Sequence, residues 1–198
     1  MAVRHTPMAR LQRIDAAPIV LLVLLGSALS ALVPIPSARA QTEEEAQRLF
    51  REGIALREAG DAAGAIDRLR SAHRIDPSDR TAYNLAAALA DGGRVVEARS
   101  LLRRIIASPR ELLIVDAARD LLARVSPRIA RVSLTIESED PEVRLLVDGA
   151  TSSTGPGGAR AVSLDPGRHR FEVRDPAGTV LARSDVEVGE GERRALVL

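Results

Sequence analysis

The sequence predicts a protein that is helical first and stranded second: an α-helical repeat array of two helix pairs plus a capping helix, followed by a small all-β sandwich. Three observations predict it. Residues 46–77 and 79–109 align with one another at a shift of 33, and self-similarity at such a period marks stacked helical repeats. Pro127, within Ser126-Pro127-Arg128, closes the helical texture, because proline cannot continue a helix. From Arg131 onward, apolar residues recur at every second position, the period of a half-buried strand. The expected organisation is a leader over 1–40, helical repeats over 42–126 and strands over 130–198.

In chain order, Arg4, Arg10 and Arg13 precede an almost wholly apolar run, Ala16 to Val33, which Pro34 and Pro36 break. Ala38-Arg39-Ala40 has the small-x-small form that signal peptidase reads, so the segment is expected to be a secretory signal cleaved after Ala40. A retained anchor is the competing reading, since the run is near the minimum length of a bilayer span, although Gly26, Ser27 and Ser30 weaken it. The protein is therefore expected to be exported, periplasmic or secreted. It has no cysteine, which excludes disulfides, thiolate metal sites and a lipidated cysteine after the signal. Apolar residues are 45% of the chain but aromatics only 2%, so the core has to be built from Leu, Val, Ile and Ala. Residues 1–40 hold four Arg and one Asp; without them 24 Arg face 26 acidic residues, a net of −2. That balance gives no electrostatic basis for binding nucleic acid.

The first helix pair starts at Thr42, where Thr42 and Glu45 read as a capping box. Within the repeat, Gly53 aligns with Ala86, Leu56 with Leu89, Ala65 with Ala98 and Leu69 with Leu102. The small residues let paired helices approach, and the leucines fill between them. Gly60 and the Asp91-Gly92-Gly93 turn end the first helix of each unit. Pro77 and Pro109 close the units, one place out of register. The third helical stretch, RELLIVDAARDLLARV, sets Leu112, Leu113, Val115, Ala118, Leu121, Leu122 and Val125 along a wide apolar stripe, suited to sealing the open end of an array.

These residues resemble the tetratricopeptide repeat over about 44–109. The first unit has the small-large-small-proline pattern as Gly53, Leu56, Ala65, Leu69, Ala72 and Pro77; the second has Asn84-Leu85-Ala86, Leu89, Ala98 and Leu102. The family's aromatic positions are mostly aliphatic here, with Leu49 and Leu56 standing in. An ordinary antiparallel helical bundle is the alternative. The resemblance implies a shallow concave face lined by the first helix of each unit, with Gln47, Phe50, Arg51, Ile54, Arg57, Arg80, Tyr83, Asn84 and Ala87 as candidate protein-binding residues. Phe50 and Tyr83 stand 33 apart at equivalent places. They are either exposed anchors or core filler, and Asn84 either meets a peptide backbone or bonds within the helix pair.

In the second half, Val132, Leu134 and Ile136 alternate with Ser133 and Thr135. Further strands are expected over Glu142–Val147, Ala161–Leu164, Arg168–Val173, Thr179–Val188 and Arg193–Leu198, with turns at Asp148-Gly149, Asp165-Pro166-Gly167 and Pro176-Ala177-Gly178. TSSTGPGG reads as a loop. Asp148-Gly149, Pro156, Pro166-Gly167, His169, Phe171 and Val173 make this half similar to the PEGA domain of bacterial envelope proteins. It departs from that family where Arg168-His169 replaces the eponymous Glu-Ala and where a glycine-aromatic pair is lacking. The resemblance implies an envelope component as its contact.

No chemistry-bearing constellation emerges. His73 and His169 fall in different halves, and no cluster has metal-ligand spacing. There is no G-x-S-x-G elbow, and the glycine-rich loop lacks the lysine and following helix of a phosphate loop. Asp140, Glu142 and Asp148 match no calcium-loop spacing. The sequence thus predicts a non-catalytic scaffold of the periplasm or envelope with no cofactor, metal or catalytic residue. Its partners would be envelope proteins, and its membrane contact only an uncleaved leader. The alternative function is a structural module bound to peptidoglycan or polysaccharide. His169 shares the alternation parity of Phe171 and Val173 and is expected on their face, nearest the turn.

Overall fold

The structure, a computed structural model, describes residues 38–138, 142–152 and 158–198. The expected leader core, Pro156 and Asp140 lie outside the described residues. Five helices come first: α1 (Ala38–Glu58), α2 (Ala62–Ile75), α3 (Asp79–Asp91), α4 (Val95–Ala107) and α5 (Leu112–Val125). A 3-10 turn, Ser126–Arg128, leads into the strands β1 (Ala130–Ile136), β2 (Arg144–Val147), β3 (Ala150–Thr151), β4 (Gly158–Leu164), β5 (Gly167–Arg174), β6 (Val180–Val188) and β7 (Arg193–Val197).

The 33-residue period is visible in the backbone. Gly60 (φ 82°) and Gly93 (φ 77°) are both left-handed, and each closes the preceding helix in the same way. Gly60 N–H donates to Arg57 O and Asp61 N–H to Leu56 O; Gly93 N–H donates to Ala90 O and Arg94 N–H to Leu89 O. This paired closure satisfies carbonyls that the helix end leaves open, and only glycine adopts its left-handed step without strain. The packing follows the same period. Ala65, Ala86 and Ala98 are fully buried with Leu69, Leu89 and Leu102. A Cβ built on Gly53 would sit 2.6 Å from Leu69 Cγ, so α1 and α2 are in direct contact there.

Two expectations about the helices are corrected. Thr42 does not start α1; the helix begins at Ala38 and Thr42 lies in its second turn, since Ala38-Arg39-Ala40-Gln41 are residues a helix readily accepts. The apolar stripe of α5 is narrower than its sequence suggests. Val115, Ala118, Leu121 and Val125 are buried, whereas Leu112 and Leu113, in the first turn, are 78% and 96% exposed. Below that turn α5 packs on α4 and also touches α3.

The strands form two sheets. One has the order β4-β1-β7 and the other β3-β2-β5-β6. β1 is antiparallel to β4 and parallel to β7, with Leu134 opposite both Arg160 and Leu196. β5 is antiparallel to β2 and β6. Ala130, Val132, Leu134 and Ile136 of the first sheet share one core with Leu145, Phe171, Val173, Val186 and Val188 of the second, which makes the pair a sandwich. The helices have a separate core, running from Ala65 through Ala98 to Val125.

Polar contacts fasten helices to strands. Val96 N–H, in the first turn of α4, donates to Asp165 Oδ1 at 2.8 Å. Arg128 donates through Nη1 to Ala90 O at 2.9 Å and through Nε to Glu190 Oε1 at 2.8 Å. Gly191 N–H reaches Arg128 O at 3.0 Å, and a side chain at Gly191 would meet Pro127 O at 2.6 Å.

Candidate protein-binding face

α1 and α3, the first helices of the two units, are tied side by side. The guanidinium of Arg80 lies 4.6 Å above the centre of the Phe50 ring, a cation–π contact. Arg57 Nε meets Asp91 Oδ2 at 2.6 Å. The structure therefore brings together most of the residues that the resemblance nominated. Gln47 and Arg51 are exposed, Ile54 is half-buried, and Gln47 and Arg80 line a cleft of about 360 Å³ with Ala46, Ile75, Asp76 and Pro77. Phe50 and Tyr83 occupy an intermediate position: both are half-buried and pack against the helical core, so each ring offers part of its surface. Asn84 donates from Nδ2 to Arg80 O at 2.9 Å, a bond back along its own helix. Ala87 is buried and does not belong to the face.

The base of the array carries polar residues that the sequence did not single out. Asp79 is 6% exposed, yet its Oδ2 accepts the backbone N–H groups of Arg110 (2.6 Å) and Glu111 (2.9 Å). It thereby holds the entry to α5, whose own preceding residue, Glu111, makes no side-chain cap. Glu111 returns the contact by accepting Arg80 N–H at 3.3 Å. The partners lie 31 and 32 residues away, so no local motif could reveal them. Nearby, Thr81 Oγ1 donates to Asp76 O at 2.6 Å and so accepts from His73 Nδ1 at 2.9 Å. Burial first, then the charges of Arg104 and Arg110, hold the His73 pKa below its ordinary value, with Asp76 opposing.

His169 is on the inward side of β5, as its parity predicts, with a side chain 11% exposed. Its Nδ1 meets Asp148 Oδ2 at 2.7 Å and its Nε2 meets Asp165 O at 2.8 Å. Both partners are acceptors, an arrangement that favours the doubly protonated ring. Burial pushes its pKa down, but the Asp148 carboxylate and the Asp165 carbonyl outweigh burial and raise it. Asp148 adopts a left-handed φ of 51° in the β2–β3 turn, and its Oδ1 accepts Arg170 N–H at 2.8 Å. The histidine is thus consumed in pinning two turns together. Phe171, the one aromatic residue of 130–198, is fully buried. Among the described residues, no three His, Asp or Glu side chains converge as metal ligands would.

No curated protein matches the chain. Residues 56–112 match the tetratricopeptide repeat family, a stretch that takes in α2, α3 and α4 and stops at the first residue of α5. In helix pairing, period and sequence, the helical half is similar to a tetratricopeptide array, a fold that serves as a scaffold for protein–protein interaction.

Proposed function

We propose that this protein is a non-catalytic adaptor of the bacterial periplasm or envelope, holding a protein segment on the α1/α3 face while the PEGA-like half contacts an envelope component. The observation that supports it best is the tetratricopeptide match over 56–112, joined to a face where two half-buried rings, exposed Gln47 and Arg51, and a cleft of about 360 Å³ lie together. Partly exposed rings beside arginine are the residue types that anchor protein interfaces. Proximity crosslinking in the native cell tests the reading. A photo-crosslinking residue at Gln47 or Arg51 should capture a defined protein, and the same probe at Arg68 of α2 should not. Equal capture from all three positions would remove the α1/α3 face from the proposal. The N-terminal sequence of the protein recovered from cells tests the address: a start at Gln41 is expected.

A further inference from the structure

We propose that the end of the array where α4 stops and α5 starts docks on an anionic lipid surface, with Leu112 and Leu113 entering the apolar layer and Arg103, Arg104 and Arg110 meeting headgroup phosphates. Leu112 and Leu113 are exposed by 78% and 96%. α5 buries Val115, Ala118, Leu121 and Val125 without them, so packing does not account for two adjacent leucines in water.

Arginines crowd the end of α4, a short turn before these leucines in the chain, and they are largely unneutralised. Glu97 is the sole carboxylate on α4, and Arg70 (2.9 Å) and Arg94 (2.7 Å) engage it. The helix then carries Arg99, Arg103 and Arg104, and among the described residues none of the three has an ion-pair partner. Burial, then the like charges of Arg103 and Arg131, hold the Arg99 pKa below its usual value. Arg110 donates to Pro77 O. A groove of about 520 Å³ along α4, lined by Val96, Arg99, Arg103 and Arg104, shares Arg104 with a cleft of about 420 Å³ that holds His73 and Arg110. The positive strip is therefore continuous. Of the nearby acids, Asp79 and Glu111 accept backbone N–H groups and Asp116, one turn into α5, pairs with Arg119 at 3.0 Å, while Asp120 is exposed one turn further along.

Some positive charge is expected at a helix C-terminus, but that does not explain the leucines. An acidic peptide would need the strip and not the protruding pair. Nucleic acid would likewise need only the strip and would leave the leucines unexplained. Basic residues flanking exposed leucines match the chemistry of an anionic bilayer surface.

The chain contains no cysteine, which allows a clean local probe. Ser108→Cys, exposed between the two helices, is labelled with nitrobenzoxadiazole in the full chain, and a second sample carries the label at Ala177→Cys in the β5–β6 turn. Vesicles are phosphatidylcholine alone or with one part in three phosphatidylglycerol. The expected result is a blue shift at 108, not at 177, on the anionic vesicles only. Salt should weaken it, and each of Arg103→Gln and Arg104→Gln should reduce partitioning about fivefold. Leu112→Ser with Leu113→Ser should abolish the shift while the far-UV spectrum is unchanged. Insertion of the N-terminal segment would give binding to neutral vesicles with no selective shift at 108. The proposal fails if anionic vesicles give no shift, if both labels shift alike, if the leucine variant shifts like the parent, or if polyglutamate reproduces the response.

Discussion

The second helices of the two repeat units start differently. α2 caps itself: Asp61 precedes it and accepts Gly64 N–H at 2.9 Å. One period later the equivalent residue is Arg94, which cannot accept, and α4 has no side-chain cap of its own. Asp165, from the turn between β4 and β5, supplies the missing acceptor at Val96 N–H. The start of α5 shows the same substitution, with Asp79 acting from 31 residues away. α2, and α3 with Ser78, are capped locally, whereas α4 and α5 take carboxylates from distant residues, and the one that serves α4 joins the sandwich to the array. That residue is itself held from behind, because His169 donates to the carbonyl of the same Asp165.

The largest expected effect comes from unfolding the sandwich. Phe171→Ala should cost the sandwich about 3–5 kcal/mol. Tyr83 is the only tyrosine and there is no tryptophan, so intrinsic fluorescence follows the helical half. With the sandwich unfolded, the Tyr83 transition in denaturant should lose about 1–2 kcal/mol, the worth of the Asp165 cap and the exposed Arg128–Glu190 pair. A loss equal to that of the sandwich would mean that the halves are a single cooperative unit. Asp79→Ala should follow at about 2 kcal/mol on the Tyr83 signal, since it leaves two N–H groups without their acceptor.

Next come the caps themselves. Asp61→Ala and Asp165→Ala should each lower the Tyr83 midpoint by about 1 kcal/mol. Arg94→Asp should restore stability in the Asp165→Ala chain and not in the Asp61→Ala chain. If it rescues neither, the correspondence of the two helix starts carries no energy.

Smaller again are the pH effects, which have opposite signs in the two halves. The raised pKa of His169 contributes stability that is fully present below the unfolded value of about 6.5 and is lost as pH rises through the folded value. The lowered pKa of His73 means that folding favours the neutral ring, so the helical half weakens as pH falls below about 6.5. Separate titration of the two ring C2–H resonances checks both directions, and Asp148→Asn should bring the His169 value down. The smallest effect belongs to the outer face of the sandwich, where Arg168–Glu187, Arg170–Asp185 and Arg183–Glu172 pair across β5 and β6. The first two pairs are solvated, so Arg170→Gln should leave the thermal midpoint unchanged; Glu172 is buried and held by Arg174 as well as Arg183.

The helical period was legible because Gly60/Gly93 and the buried Ala/Leu positions are local marks that repeat. The strand positions were legible because Val132-Leu134-Ile136 and Phe171-Val173 alternate. β3 was hidden inside an expected loop, and β4 begins three residues earlier than its apolar residues suggested, since Gly158 to Arg160 have no alternation to read. The parallel partnership of β1 and β7 left no trace, because alternation fixes a face and not a neighbour. Of the candidate face, the residues were legible and their partners were not: the Arg80–Phe50 stack and the Arg57–Asp91 pair depend on two helices meeting. Leu112 and Leu113 satisfied the helical stripe in sequence, but a stripe does not say where the neighbouring helix ends.

The pairing of β1 with β7 also orders events during synthesis. Every helix of the array meets partners within a few tens of residues, so α1 to α5 can assemble as soon as residue 125 has been made. β1 is the middle strand of its sheet, and one of its two edges stays open until residues 193–197 appear. Pairings of long sequence separation form slowly. Until residue 165 appears α4 also stands without its acceptor, so a nascent chain of this protein consists of a formed helical array followed by an unfinished sheet with an exposed edge. That interval is when the growing chain is most open to proteolysis, to aggregation and to whatever escorts it.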